Sequence, residues 1–161
     1  MSCETQTLFI EMQGGNAPQL RLTIMRPNPV LDCHAVIFYL HGGGLLFGTR
    51  DDLPSCYKSS ILERGFTPVA CDYPLAPQAG VGEILDIIEK AYNAVTRSFQ
   101  GYRFFLCGRS AGAYFCLMLS HRLQLKGMPP VGVMDFYGYC NLSSEMRGAL
   151  FQPSIFYRRS Y

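Results

Sequence analysis

The sequence predicts an α/β fold with a mostly parallel sheet flanked by helices, and three observations predict it. Short continuous apolar runs at residues 35–40, 66–71 and 104–107 have the composition of strands buried on both faces. Amphipathic helical periodicity separates them, clearest over residues 83–98. Strand and helix patterns alternate along the chain, as strands joined by crossover helices do. With 161 residues, 48% of them hydrophobic, the chain suits a single domain over residues 1–161 with a sizeable core.

Each element has its own local reason. Residues 7–12 alternate weakly, and residues 20–25 alternate apolar and polar with period two. With the turn Gly14-Gly15-Asn16-Ala17-Pro18 between them, they are expected to form an antiparallel hairpin at a sheet edge. The buried strand at 35–40 stops at His41-Gly42-Gly43-Gly44, and a short helix is expected near 55–64. The strand at 66–71 ends in Asp72-Tyr73-Pro74-Leu75-Ala76-Pro77. In the helix at 83–98, Ile84, Leu85, Ile87, Ile88, Ala91, Tyr92 and Val95 share one face. The strand at 104–107 runs into Gly108-Arg109-Ser110-Ala111-Gly112, which opens a helix at 111–123 that is apolar almost all round. Gly127-Met128-Pro129-Pro130 breaks that helix before a last strand at 131–137, and the pattern beyond is weak.

Composition narrows the function. A net charge of +2 with no basic stripe argues against a nucleic-acid partner. No apolar run has membrane-spanning length, and the polar N-terminus lacks a signal-peptide pattern, so a cytoplasmic protein is expected. Seven cysteines, odd in number and without C-x-x-C pairs, fit reduced thiols acting as small buried hydrophobes. The glycines fit neither G-x-G-x-x-G nor the P-loop pattern, so phosphate cradling has little support. The three histidines are dispersed and no H-E-x-x-H occurs, so neither metal nor cofactor is expected.

Chemistry concentrates where strands end. In parallel sheets, ligands sit outside the carboxyl ends of the strands. His41-Gly42-Gly43-Gly44, Asp72 to Pro77 and Gly108 to Gly112 each follow a strand. G-x-S-x-G puts a serine hydroxyl at the apex of a tight strand-to-helix turn, at the positive end of the helix. A triple glycine frees backbone N–H groups to turn toward a negative oxygen.

The set HGGG, DYPLAP and GRSAG, in this order, resembles the hormone-sensitive-lipase-like esterases of the α/β-hydrolase fold, which carry H-G-G-G, D-Y-R-L-A-P-E and G-D-S-A-G. The resemblance covers residues 20–142. It implies an α/β-hydrolase-like sheet, Ser110 as nucleophile, and the backbone N–H groups of Gly43, Gly44 and Ala111 as oxyanion hole. It makes His41 and Gly42 shapers of that loop, Asp72 a brace of its turn, and Gly108 and Gly112 the close-packing residues of the elbow. The implied substrate is a small acyl ester.

The sequence departs from the family in three ways. Arg109 stands where the family has an acid, and Pro74 and Gln78 replace its Arg and Glu. The family's acid and histidine follow later strands, whereas the only histidine after Ser110 is His121, on the helix that Ser110 opens. At ~1.5 Å per residue it stands roughly 16 Å along the axis, beyond the reach of a general base. His34 precedes its strand, and Asp135 is expected to be a structural carboxylate. The catalytic histidine and acid are therefore unassigned. The chain is expected to be the N-terminal part of such a domain, ending after about the sixth strand. Two readings follow: a serine hydrolase incomplete in this chain, or a non-catalytic remnant that binds a ligand or partner. In either, the strand at 131–137 is expected to present an open edge for self-association or for a complementing chain.

Overall fold

The computed structural model describes residues 4–10 and 20–139. Six strands form one mixed sheet: β1 Glu4–Ile10, β2 Leu20–Arg26, β3 Ala35–Leu40, β4 Thr67–Cys71, β5 Arg103–Arg109 and β6 Gly132–Phe136. Their order is β1-β2-β4-β3-β5-β6. The pairs β3–β4, β3–β5 and β5–β6 are parallel, and β1–β2 and β2–β4 are antiparallel. The expected hairpin is present at the edge, but its first strand lies earlier than residues 7–12. Pairing with β2 runs from Glu4 opposite Arg26 to Ile10 opposite Leu20. Met12 lies outside the described residues.

Three helices flank the sheet: α1 Ser55–Glu63, α2 Val81–Ser98 and α3 Ala111–Leu125. α2 and α3 cover one face, where Val36, Phe38, Leu40, Val69, Cys71 and Leu106 pack with Ile84, Ile88, Phe115 and Leu119. Ile37, Tyr39, Ala70 and Cys107 point the other way and meet Leu53 and Ile61, the latter on α1. Every residue of β3 and β4 is buried, as continuous apolar strands require in the centre of a two-faced sheet. α3 is buried from Ala111 through Cys116, so its almost uniform apolarity reflects deep cover.

Register brings the strand ends together. Leu40 lies opposite both Cys71 and Gly108, and Gly108 lies opposite Asp135. The segments after β3, β4, β5 and β6 therefore leave the sheet along one edge.

Candidate active site

The elbow is built by close approach. Ser110 sits between β5 and α3 with φ 51° and ψ −117°, a conformation that strains a residue with a Cβ. Its side chain makes no capping hydrogen bond to α3, so Oγ is not committed to the helix end it precedes. Its amide donates to the Phe136 carbonyl at 2.9 Å and its carbonyl accepts from the Tyr114 amide at 3.1 Å. The main chain is thus held from both sides. A Cβ at Gly112 would run into the carbonyl oxygens of Leu40 and His41, and one at Gly108 into the backbone of Gly112 and Ala113. Both positions require glycine for the strand and helix to approach as they do.

The glycine loop lies beside the serine. A Cβ on Gly42 would stand 3.6 Å from the Ser110 Cβ. Gly43, at φ 111°, accepts from the amides of Leu46 and Phe47, which closes the loop into a turn. Among the described residues, the amides of Gly43 and Gly44 make no backbone hydrogen bond. Ala111 is the first residue of α3, where an amide has no intrahelical acceptor. Gly44 and Ala111 line a cleft of about 170 Å³ together with Leu45, Tyr114 and Tyr139. The fold therefore brings Ser110, Gly42, Gly43, Gly44 and Ala111 into one place.

His41 is buried and supports this loop. Its Nδ1 donates to the Gly42 carbonyl at 2.7 Å, its ring stacks on Tyr73 with centroids 4.1 Å apart, and Tyr73 Oη donates to the His41 carbonyl at 2.7 Å. Burial lowers the imidazole pKa, only partly opposed by the Gly42 carbonyl and by Asp72 and Asp52, so the ring is held neutral. Asp72 braces its turn through partners far away in sequence. It accepts from the Arg50 amide at 2.8 Å and from Arg50 Nη1 at 2.7 Å, with Arg21 Nε at 3.3 Å.

Arg109 replaces the family's acid with a different set of bonds. Its Nε donates to Tyr137 Oη at 2.7 Å and its Nη1 to the Asp52 carbonyl at 3.0 Å. Tyr39 Oη is buried beside the Arg109 guanidinium, and burial pushes its pKa up to about 12, only partly opposed by that neighbouring charge.

No histidine joins Ser110. His34 lies before β3, at the far end of the sheet, with its amide bonded to Asp32 and its ring against Tyr102. His121 is within α3, eleven residues beyond Ser110. Asp135 Oδ1 accepts from the Gly138 amide at 2.7 Å and so shapes its own turn. Cys71, Cys107 and Cys116 are buried and free, with thiol pKa values raised by burial, whereas Cys33 is half-buried and Cys56 on α1 is exposed, so those two are not the buried hydrophobes expected. Cys3 and Cys140 lie outside the described residues. Sequence reasoning missed Arg50, Tyr137 and the cleft residues Leu45, Tyr114 and Tyr139. Tyr73 was signalled, since it sits inside the DYPLAP motif. The Arg50–Asp72 and Arg109–Tyr137 pairs span 22 and 28 residues, and no local spacing announces them.

Comparison with known proteins decides the family. Residues 37–158 match the family described as alpha/beta hydrolase fold. The chain belongs to that family. Hormone-sensitive lipase of Bos taurus is 30% identical over 142 residues, which are 84% of this chain and 18% of that protein. An α/β-hydrolase superfamily protein from Enterococcus faecalis superposes with a TM-score of 0.74 at 34% identity, over 88% of this chain and 48% of that one. An esterase from Rhizomucor miehei, at 24% identity, superposes with a TM-score of 0.73 over 88% of this chain and 46% of that one, a likeness of fold. The chain thus spans under a fifth of the lipase's length and about half of these solved α/β hydrolases. Among the described residues, no helix is long and apolar enough to cross a membrane.

Proposed function

We propose that the chain carries the nucleophile half of a serine ester hydrolase acting on small acyl esters. The observation that carries the reading is Ser110 at a strained strand-to-helix turn, beside a glycine loop whose Gly43 and Gly44 amides make no backbone hydrogen bond among the described residues. Ser110 Oγ attacks the ester carbonyl. The amides of Gly43, Gly44 and Ala111 stabilise the oxygen that becomes negative. The carbon–oxygen bond to the alcohol then breaks, the alcohol leaves with a proton, and water releases the acyl group from Ser110. The 30% identity to a protein named as a lipase supports this chemistry.

The proton from Oγ needs a histidine, and that histidine an acid. None of His34, His41 and His121 is placed for it. The proposal therefore has base and acid supplied by a further polypeptide segment at the same sheet edge. In a second reading the same cleft binds an ester or a partner without turnover.

Hydrolysis of p-nitrophenyl acetate by the full-length protein that carries this chain together with the segment supplying base and acid, as wild type and as Ser110→Ala, separates the two. Triad members act as a unit, so with base and acid in place the substitution lowers the rate by at least ~10³-fold. Without them, both proteins give the same slow rate, and the binding reading stands.

A further inference from the structure

We propose that Arg109 is a positioning residue that sets the wall of the ester cleft by pinning the segment after β6; this rests on the cleft beside Ser110 being the substrate site. The segment from Phe136 to Tyr139 crosses the start of α3. Ser110 holds its beginning through the Phe136 carbonyl at 2.9 Å. Asp135 Oδ1 holds the Gly138 amide at 2.7 Å, and Gly138 lies so close to Ala113 that a Cβ there would collide with it. Tyr139 ends the segment on the cleft, opposite Gly44 and Ala111.

Tyr137 lies between these anchors and is 68% exposed, so packing does not hold it. Its φ of 50° is costly for a non-glycine residue and persists only where surrounding contacts impose it. Arg109 provides that contact from the residue next to the nucleophile, with Nε on Tyr137 Oη at 2.7 Å and the guanidinium 6.0 Å from the ring centroid. The guanidinium is itself fixed by its second bond, to the Asp52 carbonyl at 3.0 Å. The turn carrying Asp52 is tied to the sheet through Arg50 and Asp72. Arg109 thus links the turn after β3 to the turn after β6 beneath the elbow. A planar fork reaches two acceptors at once, and a lysine ammonium on its flexible stem does not reproduce that geometry.

The experiment measures affinity without turnover. N-(4-nitrophenyl)butanamide, an amide that esterase chemistry leaves intact, is titrated by calorimetry into wild type, Arg109→Gln, Arg109→Lys, Tyr137→Phe and the Arg109→Gln/Tyr137→Phe double variant. The single variants are expected to raise Kd by about 10-fold. The double variant is expected to match a single one instead of reaching ~100-fold, because the two residues act through one bond. Tyr137→Phe keeps the exposed ring and removes only the acceptor, so it reads the bond where Arg109 variants fold poorly. Full recovery with Arg109→Lys would show a role for charge alone and overturn the proposal. Multiplicative effects, unchanged Kd values, or no binding by wild type would overturn it as well. Ester turnover that survives Ser110→Ala removes the serine mechanism while leaving this affinity result to stand or fall by itself.

Discussion

Glycine 112 and His41 show what single positions do in this site. Replacing Gly112 with alanine sets a methyl group against two backbone carbonyls that cannot move independently of β3. The expected cost is about 3 kcal/mol, read as a fall in the urea midpoint with the slope unchanged. His41 acts through its neutral ring. Burial depresses its folded pKa below the ordinary value of 6.5, so the unfolded chain binds the extra proton first. Stability is fully present above pH 6.5 and falls as pH drops through the folded pKa. Thermal midpoints from pH 7.5 to 5 should fall less steeply in His41→Gln than in wild type. Parallel slopes would remove His41 as the source of the dependence.

At the scale of elements, the contact between α2 and α3 is tied by charge as well as by apolar packing. Ile87 shares the apolar face of α2 as its periodicity predicts, half-buried against the core, and Glu89 is only 8% exposed although that stripe does not include it. Arg122 on α3 and Lys126, which caps that helix, bond the Glu89 carboxylate, and Arg122 also bonds Asp86. Burial raises the Glu89 pKa, but hydrogen bonds from Lys126 and Arg122 outweigh it and hold the carboxyl below its ordinary value. That stabilisation is present above the unfolded pKa of 4.5 and is lost as pH falls through the folded one. Glu89→Ala is expected to cost about 1.5–3 kcal/mol at pH 7 and less near pH 3, measured by urea unfolding at both values. The helix was legible from its apolar stripe. Its true start at Val81 was not, because Gly80 offers no capping side chain to mark it. The buried glutamate was not legible either, since its partners belong to another helix.

For the whole molecule, β6 closes the strand order with no neighbour on its outer side among the described residues. Val131 and Tyr137 at its two ends are 60% and 68% exposed, and Phe136 is 36% exposed. An apolar strand edge of this kind is a template for pairing with another chain. Sedimentation at micromolar concentration is expected to show association that Val131→Lys weakens. A stable monomer for wild type would count against the edge as an interface. Either outcome also bears on the proposed source of the missing base, since a docking segment and a second copy would compete for the same edge.

Element types, the burial of the central strands and the three motifs were legible in the amino-acid sequence, because each depends on periodicity or on a few adjacent residues. HGGG, DYPLAP and GRSAG were visible as strings, and their order along the chain implied strand ends. Tertiary structure decided which ends meet, since the row Cys71, Leu40, Gly108 and Asp135 is a matter of register between strands distant in sequence. It also decided that Arg109 bonds Tyr137 and Asp52. Such pairings are set by the path of the whole backbone, and no window of neighbouring residues encodes them.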